Sequence, residues 1–181
     1  MSTKIYFVRH ADVDNPENLL YGRLPGFPLS RLGHVQTGEI TDIFTAEKIA
    51  AVFSSPQLRC RQTARPIAQA HHLPVRISRL IQEVGSSFDG ISKAEFEKIE
   101  PALSNSTPLA EYHRESREDI ERRMTLFVRR VACQYPNRSV VAVSHGDPIV
   151  ILKAGLEKTN FDWEYKKANY VAKGRFFGIV V

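Results

Sequence analysis

The chain has 181 residues, 43% of them hydrophobic and 25% charged, with a formal net charge of +5, the composition of a globular protein long enough to bury a core without disulfides. Two cysteines, Cys60 and Cys133, are too few for a disulfide framework and form no Cys-x-x-Cys zinc pair, so reduced thiols in a cytoplasmic protein are expected. No apolar run nears the roughly 18 residues of a membrane helix, no secretory leader is expected, and the basic residues are scattered without a recognition motif, so neither membrane nor nucleic acid is an expected partner.

Lys4 to Val8 is an apolar run of aromatic and β-branched residues that predicts a buried strand ending at Arg9-His10. Residues 11–29 hold three prolines and two glycines and read as a long loop. Ser30 is placed to cap a helix whose apolar positions are Leu32, Val35, Ile40, Ile43 and Phe44. Ala50 to Phe53 predicts a second strand, ending at Ser54-Ser55-Pro56. Pro56 fits the first turn of the next helix, which runs to about His71 with a kink or break at Pro66. Pro74 to Ile77 is a third short strand.

Residues 78–114 are less regular. Ser92 and Glu95 form a capping-box pattern for a short helix, and Pro101 and Pro108 are expected to bound a loop beyond it. The clearest helix is 116–135, where Ile120, Met124, Phe127, Val131 and Tyr135 recur at spacings of three and four behind Ser116 as cap. Arg114, Arg117, Arg122 and Arg123 alternate with Glu115, Glu118, Asp119 and Glu121 and read as a solvated face. Ser139 to Val143 is a buried strand ending at Ser144-His145-Gly146, followed by a helix over Asp147–Leu156. Residues 169–173 and 175–181 predict two strands in a hairpin about Gly174. The alternation of strand and helix argues for an α/β fold, and the absence of repeats and linkers for one domain over 1–181.

Three strands therefore end in polar clusters: Arg9-His10, Ser54-Ser55 with Arg59 beyond, and His145-Gly146. If the strands are parallel, these converge on one crevice. The set is two arginines and two histidines. Guanidinium forks match phosphate oxygens, a neutral imidazole is a competent nucleophile, and a second histidine can offset charge on a transferring group. A carboxylic acid or a histidine with a matched pKa is then needed to protonate the leaving oxygen. Ser54 and Ser55 lack a Gly-x-Ser-x-Gly elbow and suit turn or capping roles. His34, His71, His72 and His113 have no partners at metal-ligand spacing. Cys60, beside Arg59 and Arg61, is taken as a helix residue.

Residues 5–11 (IYFVRHA), 54–64 (SSPQLRCRQTA), 80–83 (LIQE) and 143–146 (VSHG) resemble, in order, the motifs of the histidine phosphatase superfamily, the group that contains cofactor-dependent phosphoglycerate mutase. The resemblance implies a three-layer α/β/α sandwich with a mostly parallel sheet and no metal or cofactor. It implies that His10 is the nucleophile, that Arg9, Arg59 and His145 bind the phosphoryl group, and that Glu83 is the proton donor. Arg23, in Tyr-Gly-Arg-Leu-Pro-Gly, matches a family loop near the substrate.

The sequence departs from the pattern at three places. Ala11 replaces the usual glycine after the nucleophile, Pro16 stands where asparagine is common with Asn15 beside it, and Asp147 follows the second histidine closely enough to be a reserve acid. The stretch from Glu83 to His145 is short, leaving about 84–115 for a small lid. A mutase must shield its intermediate from water and a phosphatase need not. The expected activity is hydrolysis of phosphate monoesters through a phosphohistidine at His10, on a small phosphorylated metabolite. A phosphoprotein or phosphohistidine substrate, a mutase and a weakly catalytic phosphate-binding protein are the alternatives.

Overall fold

The computed structural model describes residues 2–104 and 114–181. Five strands, β1 (Lys4–Arg9), β2 (Ile49–Ser54), β3 (Val75–Ile77), β4 (Ser139–Ser144) and β5 (Phe176–Val180), form one sheet in the order β3-β2-β4-β1-β5. The first four are parallel, and β5 runs antiparallel along β1. Successive side chains of a strand face opposite ways, so the unbroken apolar runs of β1 and β4 feed two cores. Ile5, Phe7, Val140 and Ala142 enter one; Tyr6, Val8, Val141 and Val143 enter the other.

Helices α1 (Arg31–Thr45) and α2 (Leu58–Ala70) close the second core with Ile40, Phe44, Ala64 and Ile67. Helices α4 (Arg117–Gln134) and α5 (Gly146–Glu157) close the first with Ile120, Met124, Phe127, Ile149 and Leu152. A three-layer α/β/α sandwich with a mostly parallel sheet results, as the resemblance implies and as the alternation of strand and helix suggests. The remaining helices, α3 (Lys93–Ser104) and α6 (Trp163–Asn169), belong to the segments around the site.

Several local expectations are corrected. Ser30 does cap α1, its Oγ accepting from Gly33 N at 3.0 Å. The buried face, however, is Gly33, Thr37, Ile40 and Phe44, and Leu32, Val35 and Ile43 are exposed. Gly33 lies so near the Asp12 main chain that a Cβ would sit 2.0 Å from its carbonyl oxygen. The face turned inward thus opens on a glycine, which a search for apolar side chains passes over. Pro56 precedes the Gln57 N-cap instead of entering α2, and α2 continues through Pro66. Pro101 lies inside α3 instead of bounding a loop, while Pro108 lies outside the described residues. The terminal hairpin does not form: 169–173 is not a strand. Asp162 Oδ1 instead caps the unforeseen α6 by accepting from Tyr165 N at 2.8 Å. The chain then crosses the end of β1, where Arg9 Nη1 donates to Val171 O at 2.9 Å, and turns into β5 at Gly174 with φ +67°, a conformation glycine adopts freely.

Candidate active site

The carboxyl ends of β1, β2 and β4 share one edge of the sheet, the edge where open α/β sheets form their sites. His10 follows β1 and is tied to β4 by its N–H, which donates to Ser144 O at 3.0 Å. Its Nδ1 lies 2.8 Å from Ala11 O. A carbonyl can only accept, so Nδ1 carries the proton and Nε2 presents its lone pair. Burial first, then Arg59, holds the His10 pKa well below its ordinary value, so the ring is neutral. Ala11 N donates to Thr63 Oγ1 at 3.1 Å. Its φ is not positive, so alanine in the glycine position carries no left-handed strain. Asn15, beside Pro16, spends its side chain on both main-chain groups of Leu19.

The His145 ring centroid is 5.3 Å from that of His10. Its Nδ1 lies 3.1 Å from Arg59 Nη2 and 3.4 Å from Glu83 Oε2. Its Nε2 lies 2.8 Å from Ser55 Oγ and 3.2 Å from Gln57 Oε1. A guanidinium only donates, so Nδ1 accepts and Nε2–H donates to the Ser55–Gln57 side. Burial, then Arg59, keeps this ring neutral too. Arg59 is wholly buried. It stacks 4.5 Å above the Tyr21 ring and donates from Nη2 to Gly22 O at 2.7 Å. Its Nε and Nη1, and Nε of Arg9, are buried without an acceptor among the described residues. Arg9 itself stacks 4.6 Å from the Tyr170 ring. Unpaired buried donors are costly, and two guanidinium groups with such donors beside a neutral imidazole suit an oxyanion such as phosphate.

Glu83 and Asp147 line one cavity of about 260 Å³, whose walls also include Arg9, His10, Tyr21, Asp89 and Tyr170. Glu83 is pushed up to about 7 by burial and then by the Asp147 charge, against the pull of Arg59. Burial raises Asp147 as well, but Lys166 at 2.9 Å and Arg114 at 3.2 Å more than offset it and hold that carboxyl below its ordinary range. Near neutral pH one is partly protonated and the other is a carboxylate.

Arg9, His10, Arg59, Glu83 and His145 are thus brought together. Arg23 is turned elsewhere: its Nε donates to Glu83 O at 2.8 Å and its Nη2 pairs with Glu115 at 2.7 Å. Glu115 and Arg123 are also not the solvated charges expected, their side chains being 18% and 12% exposed, whereas Arg122 at 75% fits that reading. Tyr21, Lys166 and Tyr170 are contributors the motifs did not single out, and Ser55, expected in a turn or cap, lies against His145 Nε2. Cys60 is buried and its thiol pushed up to about 12 by burial, as suits a helix residue. Among the described residues no group of His, Cys, Asp and Glu could hold a metal, and no helix is long and apolar enough to cross a membrane.

Fold and site together define a phosphate-handling protein of the three-layer α/β class. The chain belongs to the histidine phosphatase superfamily (branch 1), whose family model matches residues 5–168. It is 34% identical to the uncharacterised Mycobacterium tuberculosis protein Rv0525 over 155 residues, 83% of this chain and 77% of that one. Among solved structures, the fold matches mycobacterial glucosyl-3-phosphoglycerate phosphatase Rv2419c with a TM-score of 0.83 at 21% identity, covering 99% of this chain and 91% of that one. It also matches the alpha-ribazole phosphatase of Shigella flexneri with a TM-score of 0.79 at 20% identity, covering 97% and 89%.

Proposed function

We propose that the protein is a phosphatase that hydrolyses small phosphate monoesters through a phosphohistidine at His10. The observation that carries this reading is the His10 ring: neutral, fixed through Nδ1 on Ala11 O, and beside two arginines with unpaired buried donors. Nε2 attacks phosphorus as the ester P–O bond breaks, while Arg9, Arg59 and His145 hold the phosphoryl oxygens. Glu83 gives its proton to the leaving alkoxide. The resulting carboxylate then takes a proton from water, whose oxygen attacks phosphorus and breaks the N–P bond. Phosphate leaves, His10 is neutral again and Glu83 is reprotonated. A pKa near working pH suits a group that must both give and take a proton, which favours Glu83 over the ion-paired Asp147. Arg23 serves this site indirectly, through the Glu83 main chain.

The cavity volume favours a small phosphorylated metabolite over a phosphoprotein, as do relatives named for small phosphate esters. Within the single domain, Val84, Phe88 and Phe96, in the segment that follows Glu83, line the cavity and serve as a small lid. Cytoplasmic residence fits the free thiols of Cys60 and Cys133. The test is turnover of p-nitrophenyl phosphate with chelator present. The wild type should turn over in chelator, and His10→Ala should lose more than about a thousandfold of the rate. A wild-type rate surviving in His10→Ala would remove the nucleophile. Phosphate binding with no turnover of any ester would leave a binding protein. A panel of phosphorylated metabolites and phosphopeptides then assigns the substrate.

A further inference from the structure

Glu115 lies just before α4, at the far end of the segment that Glu83 begins. Its Oε2 accepts from Arg23 Nη2 at 2.7 Å, from Arg123 Nη2 at 3.1 Å and from Gly85 N at 3.1 Å, and its Oε1 accepts from Arg123 Nε at 2.7 Å. Its own N–H donates to Gly85 O at 2.7 Å. Both arginines then reach on to the main chain that bears Glu83. Arg23 Nε donates to Glu83 O at 2.8 Å, Arg123 Nη2 to the same oxygen at 3.3 Å, and Arg123 Nη1 to Leu80 O at 2.9 Å.

One carboxylate therefore fixes two guanidinium groups, and these hold the Glu83 carbonyl and, through Arg123, the Leu80 carbonyl before it. The packing is close. A Cβ on Gly85 would lie 2.9 Å from Arg23 Nη1. Such a largely buried cluster of two cations and one anion adds little net stability against an apolar substitute, but it defines a position sharply. Proton transfer needs that sharpness, because an error of about 1 Å in the placement of a reacting group can cost on the order of a hundredfold.

We infer that Glu115 is a positioning residue for the proton transfer: through Arg23 and Arg123 it sets where the Glu83 carboxyl stands relative to the leaving oxygen. The inference rests on the reading of Glu83 as proton donor. Only a poor leaving group needs that proton during attack by His10, and kcat/KM reports the steps up to that transfer.

The experiment compares kcat/KM for p-nitrophenyl phosphate and for glycerol 2-phosphate in wild type, Glu83→Gln, Glu115→Gln and the double variant. Glu115→Gln should lose about ten- to a hundredfold on glycerol 2-phosphate and no more than about threefold on the nitrophenyl ester. On glycerol 2-phosphate the double variant should be no worse than Glu83→Gln alone, since residues that act through one another are not additive. Equal losses on both esters, or penalties that multiply in the double variant, would overturn the role of Glu115. A Glu83→Gln variant that shows no preference between the esters would instead remove the donor reading, and this inference with it. If Glu115→Gln does not fold, Arg23→Lys keeps the charge but removes the planar fork whose Nε and Nη2 bond Glu83 O and Glu115 in fixed geometry. It should show the same selective loss, and an unselective one would overturn the inference.

Discussion

Glu83 and Asp147 face one cavity, yet their neighbours push them apart. Asp147 sits between Lys166 and Arg114 and keeps its charge, while Glu83 is raised by burial and by that charge. Pairs of carboxyls separated in this way divide into an acid and an ionised partner. Asp147→Asn keeps the shape and an acceptor oxygen but removes the charge that raises Glu83. The alkaline limb of kcat/KM for an alkyl phosphate, which requires protonated Glu83 in the free enzyme, should move to lower pH, so the variant loses more at pH 8 than at pH 6. A limb that stays in place would mean that Glu83 does not sense Asp147. At this scale the sequence carried much of the site. Arg9 ends β1, His10 and His145 directly follow β1 and β4, and Arg59 lies in the first turn of α2 after β2, so local order predicts their convergence. Glu115 and Arg123 were illegible because an alternating charge run looks the same whether it faces solvent or folds over a main-chain carbonyl. Arg23 was legible as belonging near the site, but not as pointing at Glu83 O.

The elements show the same division. Apolar runs marked β1, β2 and β4 because a buried parallel strand is apolar on both faces. Helix α6 left no such mark, since none of its residues is buried. It forms because Asp162 caps it and because Lys166 and Tyr170 have partners across the cavity: Lys166 pairs with Asp147 and Tyr170 covers Arg9. Residues 169–173 offered strand-like residues without a neighbouring strand to pair with, since β5 already occupies the edge of β1. A helix held by its cap and its site contacts can be loosened without loosening the core. Asp162→Ala should cost α6 about 1 kcal/mol, raising KM up to roughly fivefold while leaving the melting temperature nearly unchanged. A large fall in melting temperature with an unchanged KM would mean that α6 braces the sandwich and not the site.

For the whole molecule, the chemistry at the sheet edge sets the pH dependence of stability. Glu83 has an ordinary value of 4.5 and stands at about 7 in the folded chain. Between those values the folded protein holds a proton that the unfolded chain releases, so stability falls as pH rises through this window and levels off above it. His10 and His145 act in the other direction. They are held well below 6.5 when folded, so the unfolded chain takes up protons first as pH drops below that value, and stability falls on the acid side. Glu83→Gln removes the alkaline penalty and keeps an acceptor for Val84 N, which Glu83 Oε1 serves at 2.9 Å. The variant should be more stable than wild type by on the order of 3 kcal/mol at pH 8 and by less than about 1 kcal/mol at pH 5. In a chain of this length that corresponds to roughly 6–12 °C in melting temperature at pH 8. Thermal unfolding of both proteins across this range measures it, and an equal shift at both pH values would show that Glu83 is not strained by burial. A more stable variant that has lost turnover of alkyl phosphates would place the strain and the catalysis in the same carboxyl, as expected where an active site holds a group that the fold alone would exclude.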